Sequence, residues 1–423
     1  MSATHPILTR SRNGYTLRWD NLVMEVRQLR RKDEDWRCEL LIGLESGDDV
    51  DLIWTGHHNL MAARTRSLLA KDLQERIDYL PWAEMLQQLS FILVQEERQG
   101  EPSINMANYP EPEGLNYLMR GWVLEGKPTA LFGLGGSGKT WLGLTICQCL
   151  AAGVNLLGYA IPQGIPVQVY DYENDPDLTR LRLAKIAAGL GIPVAQIHYR
   201  QLSYAITDYE ELIAREIDEH GIKFAMLDSF ALASGGSQQK DELVIPVYAL
   251  LRRLGIATLL IDHEAKASNG EYAIGTVYKH NLARITWQLK ATRENTETGD
   301  LYLLASNRKN NEDKRQKPIG IHMMFGPRAV LAKRIDAADL PSDLTSDLPL
   351  RQRILASLQE HRAMSTTELA ELLGENAKEV GTRLKEMDKE KLVHQITRGG
   401  GRGNPSTWEL HSDREPEPPE GFE

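Results

Sequence analysis

The sequence predicts an α/β protein with a mostly parallel sheet at its centre, an N-terminal α+β domain and a small helical unit near the C-terminus. Three observations predict this. The short apolar runs TALFG (129–133), VQVYD (167–171), FAMLD (224–228) and IATLLID (256–262) alternate with longer helical patterns, the rhythm of strands joined by crossover helices. Before them, strand patterns follow one another closely and give way to two helical patterns. After them, helical patterns with a three- and four-residue apolar period end in a glycine-rich hairpin pattern.

The composition bounds the class. With 423 residues the chain has room for about three domains. Hydrophobic content of 42% and charged content of 26% are those of an ordinary globular protein, not of a fibrous or disordered chain. No apolar run approaches the ~20 residues of a membrane span, and the N-terminus lacks the apolar core of a signal peptide. The three cysteines, Cys38, Cys147 and Cys149, fit a reducing compartment, and the last two read as core residues of one helix. The expectation is a cytoplasmic protein without a membrane partner. A net charge of −10 requires that any contact with nucleic acid come from local basic patches.

Residues 1–112 read as the α+β domain. Leu22, Met24 and Val26 alternate as on a half-buried strand, and CELLIGL (38–44) and DLIWTG (51–56) continue the sheet. After Pro81, the residues Trp82, Met85, Leu86, Leu89, Ile92 and Leu93 recur at helical spacing. This domain carries no catalytic constellation and reads as a partner or assembly module. The segment 99–114, with three prolines and two glycines, reads as a linker.

The central domain, 113–335, opens with the most specific signal in the chain. Gly133, Gly135, Gly136, Ser137, Gly138, Lys139 and Thr140 fall in GLGGSGKT, which satisfies G-x-x-x-x-G-K-[ST]. Chance produces that pattern in only about 1–2% of chains of this length. An apolar strand precedes it and a helix, expected to be amphipathic, follows over 139–152. Glycines let consecutive backbone N–H groups turn onto phosphate oxygens, the lysine reaches the β- and γ-phosphates, and the threonine hydroxyl binds Mg²⁺. The helix N-terminus adds favourable dipole charge. The cofactors expected are therefore ATP and Mg²⁺.

Hydrolysis needs more than binding. Asp228, closing KFAMLD, stands at a strand end where it can serve the metal. VYDYEND supplies Asp171, Glu173 and Asp175 at another strand end, and Glu173 is the first choice to orient or deprotonate the attacking water. His263 follows IATLLID, with Lys266 close behind, and can bond the γ-phosphate or the water.

The segment from about 115 to 335 resembles the RecA-like ATPase core of RepA-type proteins, relatives of the hexameric DnaB-like helicases. The resemblance rests on GLGGSGKT, VYDYENDPDLTRLRL, AMLDSFALASGG, IDHEAKA, AIGTVYKHNLARITWQL and SNRKNN, in that order. It implies Lys139 and Thr140 as the phosphate and Mg²⁺ positions, Glu173 as the catalytic glutamate, Asp228 as the metal-side aspartate and His263 as the γ-phosphate sensor. It also implies that Arg308 or Lys309 supplies a cation to the neighbouring subunit's nucleotide. DnaB-like members tend to show Lys-x-Arg there; this chain has Ser306 and Arg308, followed by Lys309, which leaves open which cation acts. Arg284 is a weaker candidate and reads more readily as an edge salt bridge.

Residues 336–350 read as a second linker. In 351–411, Ile354, Leu355 and Leu358 share one helix face, and Ser365 and Glu368 have capping-box spacing. Gly374 breaks the helix, and a third helix over 377–393 turns Ala377, Val380, Leu384 and Met387 inward and Lys378, Arg383, Lys385 and Lys389 outward. HQITRGGGRGNPSTWEL then reads as two strands around a glycine-rich turn, with Arg398 and Arg402 flanking the glycines. This region resembles a winged helix, a module that touches either DNA or protein. The tail, 412–423, is acidic and proline-rich. The whole reads as a RecA-like P-loop NTPase that assembles as a homo-oligomeric ring, such as a hexamer, or as a filament, and acts on DNA through the winged helix or the ring channel. The leading role is a RepA-like helicase or related replication motor of a plasmid, phage or mobile element. A DNA-bound regulatory switch and a recombination-mediator-like ATPase are the alternatives.

Overall fold

The computed structural model describes residues 5–11, 14–32, 35–47, 49–100, 102–112, 114–236, 241–263, 281–292, 299–336, 339–346, 348–397 and 406–411. Lys266, the glycine-rich turn with Arg398 and Arg402, and the acidic tail lie outside the described residues. Contacts divide the chain into two compact units, Met1–Glu113 with Tyr209–Glu219, and Gly114–Asp208 with His220–Glu423.

The first unit is a five-stranded antiparallel sheet in sequential order, β1 (Ile7–Ser11), β2 (Gly14–Trp19), β3 (Leu22–Lys32), β4 (Asp35–Ser46) and β5 (Asp49–Asn59). Two helices follow, α1 (Ala63–Arg76) and α2 (Trp82–Gln99). Leu17, Met24 and Ile42 face one another in register on one side and are fully buried with Trp82, Leu89 and Leu93 of α2. This alternation is the one seen in the sequence. The helix α5 (Glu210–His220) lies between two strands of the central domain in sequence, yet Tyr209–Glu219 belongs to this first unit. Its Glu211 carboxylate stands 3.8 Å from Arg27 on β3.

The second unit holds a nine-stranded sheet in the order β10-β9-β11-β12-β8-β13-β14-β15-β16. Six neighbouring strands run parallel: β10 (Ile197–Gln201), β9 (Val167–Asp171), β11 (Phe224–Asp228), β12 (Ala257–His263), β8 (Pro128–Gly133) and β13 (Ile285–Thr292). Three antiparallel strands extend the sheet, β14 (Leu301–Asn310), β15 (Ile319–Phe325) and β16 (Val330–Ile335). The chain enters through a small ribbon, β6 (Tyr117–Met119) and β7 (Val123–Leu124). The helices are α3 (Lys139–Ala152), α4 (Pro176–Leu190), α6 (Phe230–Ala233) and α7 (Asp241–Leu254).

β8, β9 and β11 are buried at every residue, which fits their mostly apolar sequences, with Thr129 and Gln168 the polar residues enclosed within them. The helix α3 departs from the amphipathic expectation. It is buried on all sides, from Leu142 to Leu150, with Cys147 and Cys149 both fully enclosed. Burial pushes the Cys149 thiol up to about 12. Even Gln148 is inside, donating to the Pro193 carbonyl at 2.9 Å and accepting from Ala195 N–H at 3.2 Å.

The described residues of 336–350 include a short helix. It is α8 (Ser342–Thr345), and Leu340, Leu344 and Leu348 are buried against Leu304. Beyond them come α9 (Leu350–His361), β17 (Ala363–Ser365), α10 (Thr366–Leu373), α11 (Ala377–Lys389), β18 (Val393–Thr397) and β19 (Thr407–Leu410), with sheet order β17-β19-β18. Ser365 and Glu368 form the reciprocal capping box at the start of α10, and Gly374 ends that helix in the left-handed conformation. Val380, Leu384 and Met387 are fully buried with Ile354 and Leu358. Ala377 is exposed, against expectation, because it occupies the first turn of α11 beside its Asn376 cap. No helix among the described residues is long and apolar enough to cross a membrane.

Candidate active site

The parallel strands deliver their last residues to one edge. His263 of β12 pairs in register with Gly133 of β8, and Asp228 of β11 pairs with Asp171 of β9. Between Gly133 and α3 runs the glycine loop. Gly136 and Gly138 both adopt φ of +77°, which turns the loop around the helix N-terminus. At Gly133 the constraint is steric: a Cβ there would lie 2.2 Å from the Leu289 carbonyl oxygen of β13.

Lys139 is 6% exposed, and its ammonium donates to the carbonyls of Gly133 at 3.0 Å and Leu134 at 2.8 Å. The loop thus holds a buried cation inside its own ring of backbone. Thr140 Oγ1 donates to Asp228 Oδ2 at 2.7 Å. Asp228 is 1% exposed. Burial, with further repulsion from Glu173 and Asp171, pushes its carboxyl up to about 6, against the Thr140 bond and Lys139, which pull it down. A hydroxyl and a buried carboxylate side by side form a hard-oxygen donor set that fits Mg²⁺.

The three acids of VYDYEND have three separate positions. Asp171 is buried, and its Oδ1 accepts from the backbone N–H of Glu173 and Asn174, both at 2.9 Å. It also takes the Thr179 hydroxyl at 3.3 Å, so it anchors the turn. Asp175 caps α4 through Leu178 N–H at 2.7 Å. Glu173 alone projects into the pocket, where its Oε1 lies 3.9 Å from His263 Nε2.

A cavity of about 470 Å³ brings together Gly136, Ser137, Gly138, Lys139, Thr140, Glu173, Asp228 and His263. It also has walls that the sequence reading missed. Trp141, Arg182 and Phe325 line it, with the Arg182 guanidinium 5.5 Å from the Trp141 ring centre. Trp141 directly follows the loop threonine, a signal visible in sequence. Arg182 lies three residues beyond Thr179, on the same face of α4, which is a weaker signal.

Arg308 and Lys309 stand apart from this cavity. Arg308 Nε donates to Gln288 Oε1 at 2.9 Å. Lys309 donates to the carbonyls of Asn281 at 2.9 Å and Ala283 at 2.8 Å, and burial followed by the Arg284 charge lowers its pKa. Arg284 pairs with Glu312 at 3.4 Å.

Residues 97–269, the span holding the loop, Glu173, Asp228 and His263, match a family model described as an AAA domain. Residues 348–408 match a model described as HVO_A0114. No curated protein matches the chain. Among solved structures, the KaiC-like protein PH0186 from the hyperthermophilic archaeon Pyrococcus horikoshii OT3 is similar at 19% identity, over 51% of this chain and 93% of that one, with a TM-score of 0.38. The parallel sheet with the phosphate loop at its carboxyl edge is the α/β arrangement of a P-loop nucleotide-binding core, and residues 97–269 are similar to an AAA domain.

Proposed function

We propose that this protein is a Mg²⁺-dependent ATPase that assembles into a ring of identical subunits and works as a motor on DNA, in the manner of a replicative helicase. The observation that supports the ATPase at the centre of this reading is the convergence of Lys139, Thr140, Asp228, Glu173 and His263 on one cavity at the carboxyl edge of the parallel sheet. Lys139 exchanges its loop carbonyls for phosphate oxygens and holds the transferring phosphoryl group. Thr140 and Asp228 would hold Mg²⁺, which would supply charge neutralisation at the phosphates. Glu173 orients the attacking water and accepts its proton, and His263, beside it, bonds the water or the terminal phosphate and reports its presence. Trp141, Phe325 and Arg182 offer rings and a guanidinium to the base.

The position of Arg308 and Lys309 outside their own chain's cavity supports a role toward a neighbour's nucleotide, which would tie hydrolysis to assembly. The three helices and the sheet β17-β19-β18 of the C-terminal unit support a winged-helix reading, and we assign the unit to DNA. On α11, Lys378, Lys385 and Lys389 recur at helical spacing on one exposed stripe. The rival reading, a regulatory switch that contacts protein, draws on Arg383, which is paired with Glu386 at 2.7 Å.

The deciding experiment measures ATPase rate with and without single-stranded DNA, together with the mass of the assembly. Stimulation by DNA in an oligomer, with ATP-dependent strand displacement, is expected of the motor. Full, DNA-independent turnover by a monomer overturns it.

A further inference from the structure

The aromatic wall of the cavity is set by residues that lie behind it. Phe325, the last residue of β15, meets Trp141 edge-on, with ring centroids 5.2 Å apart at 85°. Its backbone N–H donates to Asp300 Oδ1 at 2.8 Å. The other oxygen, Asp300 Oδ2, lies 3.3 Å from His322 Nε2. The His322 ring in turn stacks on Tyr302, with centroids 4.4 Å apart and planes 3° from parallel.

Strand register explains the arrangement. Leu301 pairs with Met323 and Tyr302 with His322. Side chains alternate along a strand, so Leu301, Met323 and Phe325 share one sheet face and Tyr302 and His322 share the other. The first face borders the cavity: Leu301 lines it and packs on the phosphate loop, where a Cβ on Gly138 would come within 3.1 Å of its Cδ1. The Asp300–His322–Tyr302 cluster is thus tied to the back of the hairpin whose front carries the wall. The Asp300 and His322 side chains are 20% and 22% exposed, which shields their bond from water.

We infer that Asp300 is a positioning residue for the nucleotide base. It fixes the end of β15 through the Phe325 N–H, so that Phe325 stands against Trp141 as a preformed stacking wall, and His322 holds its second oxygen. The inference rests on the reading of this cavity as a nucleoside triphosphate site. A carboxylate bond to a backbone N–H is charge-assisted and stronger than a neutral one. A wall fixed before binding spares the ligand the cost of ordering it. The phosphate anchors, Lys139 and Thr140, do not depend on this bond.

The test uses the full chain with Mg²⁺ and two probes, a fluorescent ATP analogue and inorganic tripolyphosphate as its competitor. Asp300→Ala should weaken the ATP analogue roughly tenfold and leave tripolyphosphate within about twofold of wild type. Asp300→Asn keeps an acceptor for the Phe325 N–H and should restore binding. Phe325→Ala should match Asp300→Ala, and the double variant should be no weaker than either. Unchanged ATP affinity in Asp300→Ala overturns the inference. So does an equal loss for both probes, which is what general damage to the fold produces. A wild type that binds neither probe overturns the nucleotide reading itself, so the two failures are distinct.

Discussion

Thr140 and Asp228 are 88 residues apart in sequence and share a 2.7 Å hydrogen bond across the carboxyl edge of the sheet. One comes from the first turn of α3 and the other from the end of β11, so the bond reports that loop and sheet are in register. It also aims two hard oxygens at one point. Asp228→Asn keeps the shape but removes the charge a divalent cation needs. Hydrolysis should fall roughly a hundredfold or more, while binding of Mg²⁺-free nucleotide stays near wild type. Steady-state turnover and a nucleotide titration in chelator measure the two halves; normal Mg²⁺-dependent turnover would remove Asp228 from the metal side.

The acids around β9 should separate in their effects as they do in space. Glu173→Gln should bind ATP normally and lose turnover, since an amide cannot take the proton. Asp175→Ala should leave turnover alone and cost about 1 kcal/mol of stability, the usual value of an N-cap. Asp171→Asn should lower the melting temperature most, because it anchors two backbone N–H groups and a threonine. If Glu173→Gln turns over at the wild-type rate, another group activates the water.

Arg308 and Lys309 differ in what holds them. Lys309 is spent on two backbone carbonyls, and Lys309→Ala should destabilise the fold by leaving them without a donor. Arg308 rests on a glutamine side chain it can leave. We expect Arg308→Ala to fold, bind nucleotide and hydrolyse poorly. Mixing it with Lys139→Ala should restore part of the activity through interfaces that join one intact half from each chain. Absence of any recovery in mixed assemblies argues against a cation acting in trans.

How far the fold was legible depended on what each strand buries. β8, β9, β11 and β12 are short, buried strands of mostly apolar residues, and they stood out as compact runs ending in Gly133, Asp171, Asp228 and His263. β13 and β14 are longer, and their buried polar residues Thr286, Gln288 and Asn307 run on into half-buried polar ends, so no compact apolar run marks them. Asn307 is satisfied by bonding to the backbone of Thr286 and Lys309, a partnership no local pattern reveals. Phe325 was missed for that reason, since its place in the site exists only through the antiparallel extension. Nor does local sequence say where α5 packs. Its apolar residues Ile213, Ala214 and Ile217 mark a face to bury without saying against which sheet.

His58 provides a pH dependence. It is 5% exposed at the end of β5, and burial, followed by the Arg66 charge, pushes its pKa from 6.5 down to about 4. Between those values the unfolded chain binds a proton that the folded one refuses. Stability is therefore fully present above pH 6.5 and is lost as pH falls toward 4, by up to about 3 kcal/mol. Urea midpoints from pH 7 to 4.5 should fall for wild type and fall less for His58→Gln. Parallel pH profiles for the two proteins would show that His58 is not the group responsible.

The last prediction concerns α11. Lys378, Lys385 and Lys389 lie seven and four residues apart, within about 40° of one another around the helix. Val380, Leu384 and Met387 occupy the buried side, and Glu379, Glu386 and Glu390 form a separate acidic stripe that contains Arg383. The three lysines therefore present positive charge with no acid among them, despite the net charge of −10 of the whole chain. If this stripe lies along a duplex, each lysine displaces about one counterion from a phosphate. Changing all three to alanine should weaken duplex binding about equally on unrelated sequences and flatten the salt dependence by about two to three units. Alanine favours helix, and none of the three lysines is buried, so the unit should keep its fold. Trp408, 3% exposed and bonded to the Thr366 hydroxyl at 3.0 Å, reports that by its fluorescence. The basal ATPase rate should not change, because the cavity is lined by other elements. Equal affinities and equal salt slopes for wild type and triple variant would take α11 off the DNA and favour the module that contacts protein.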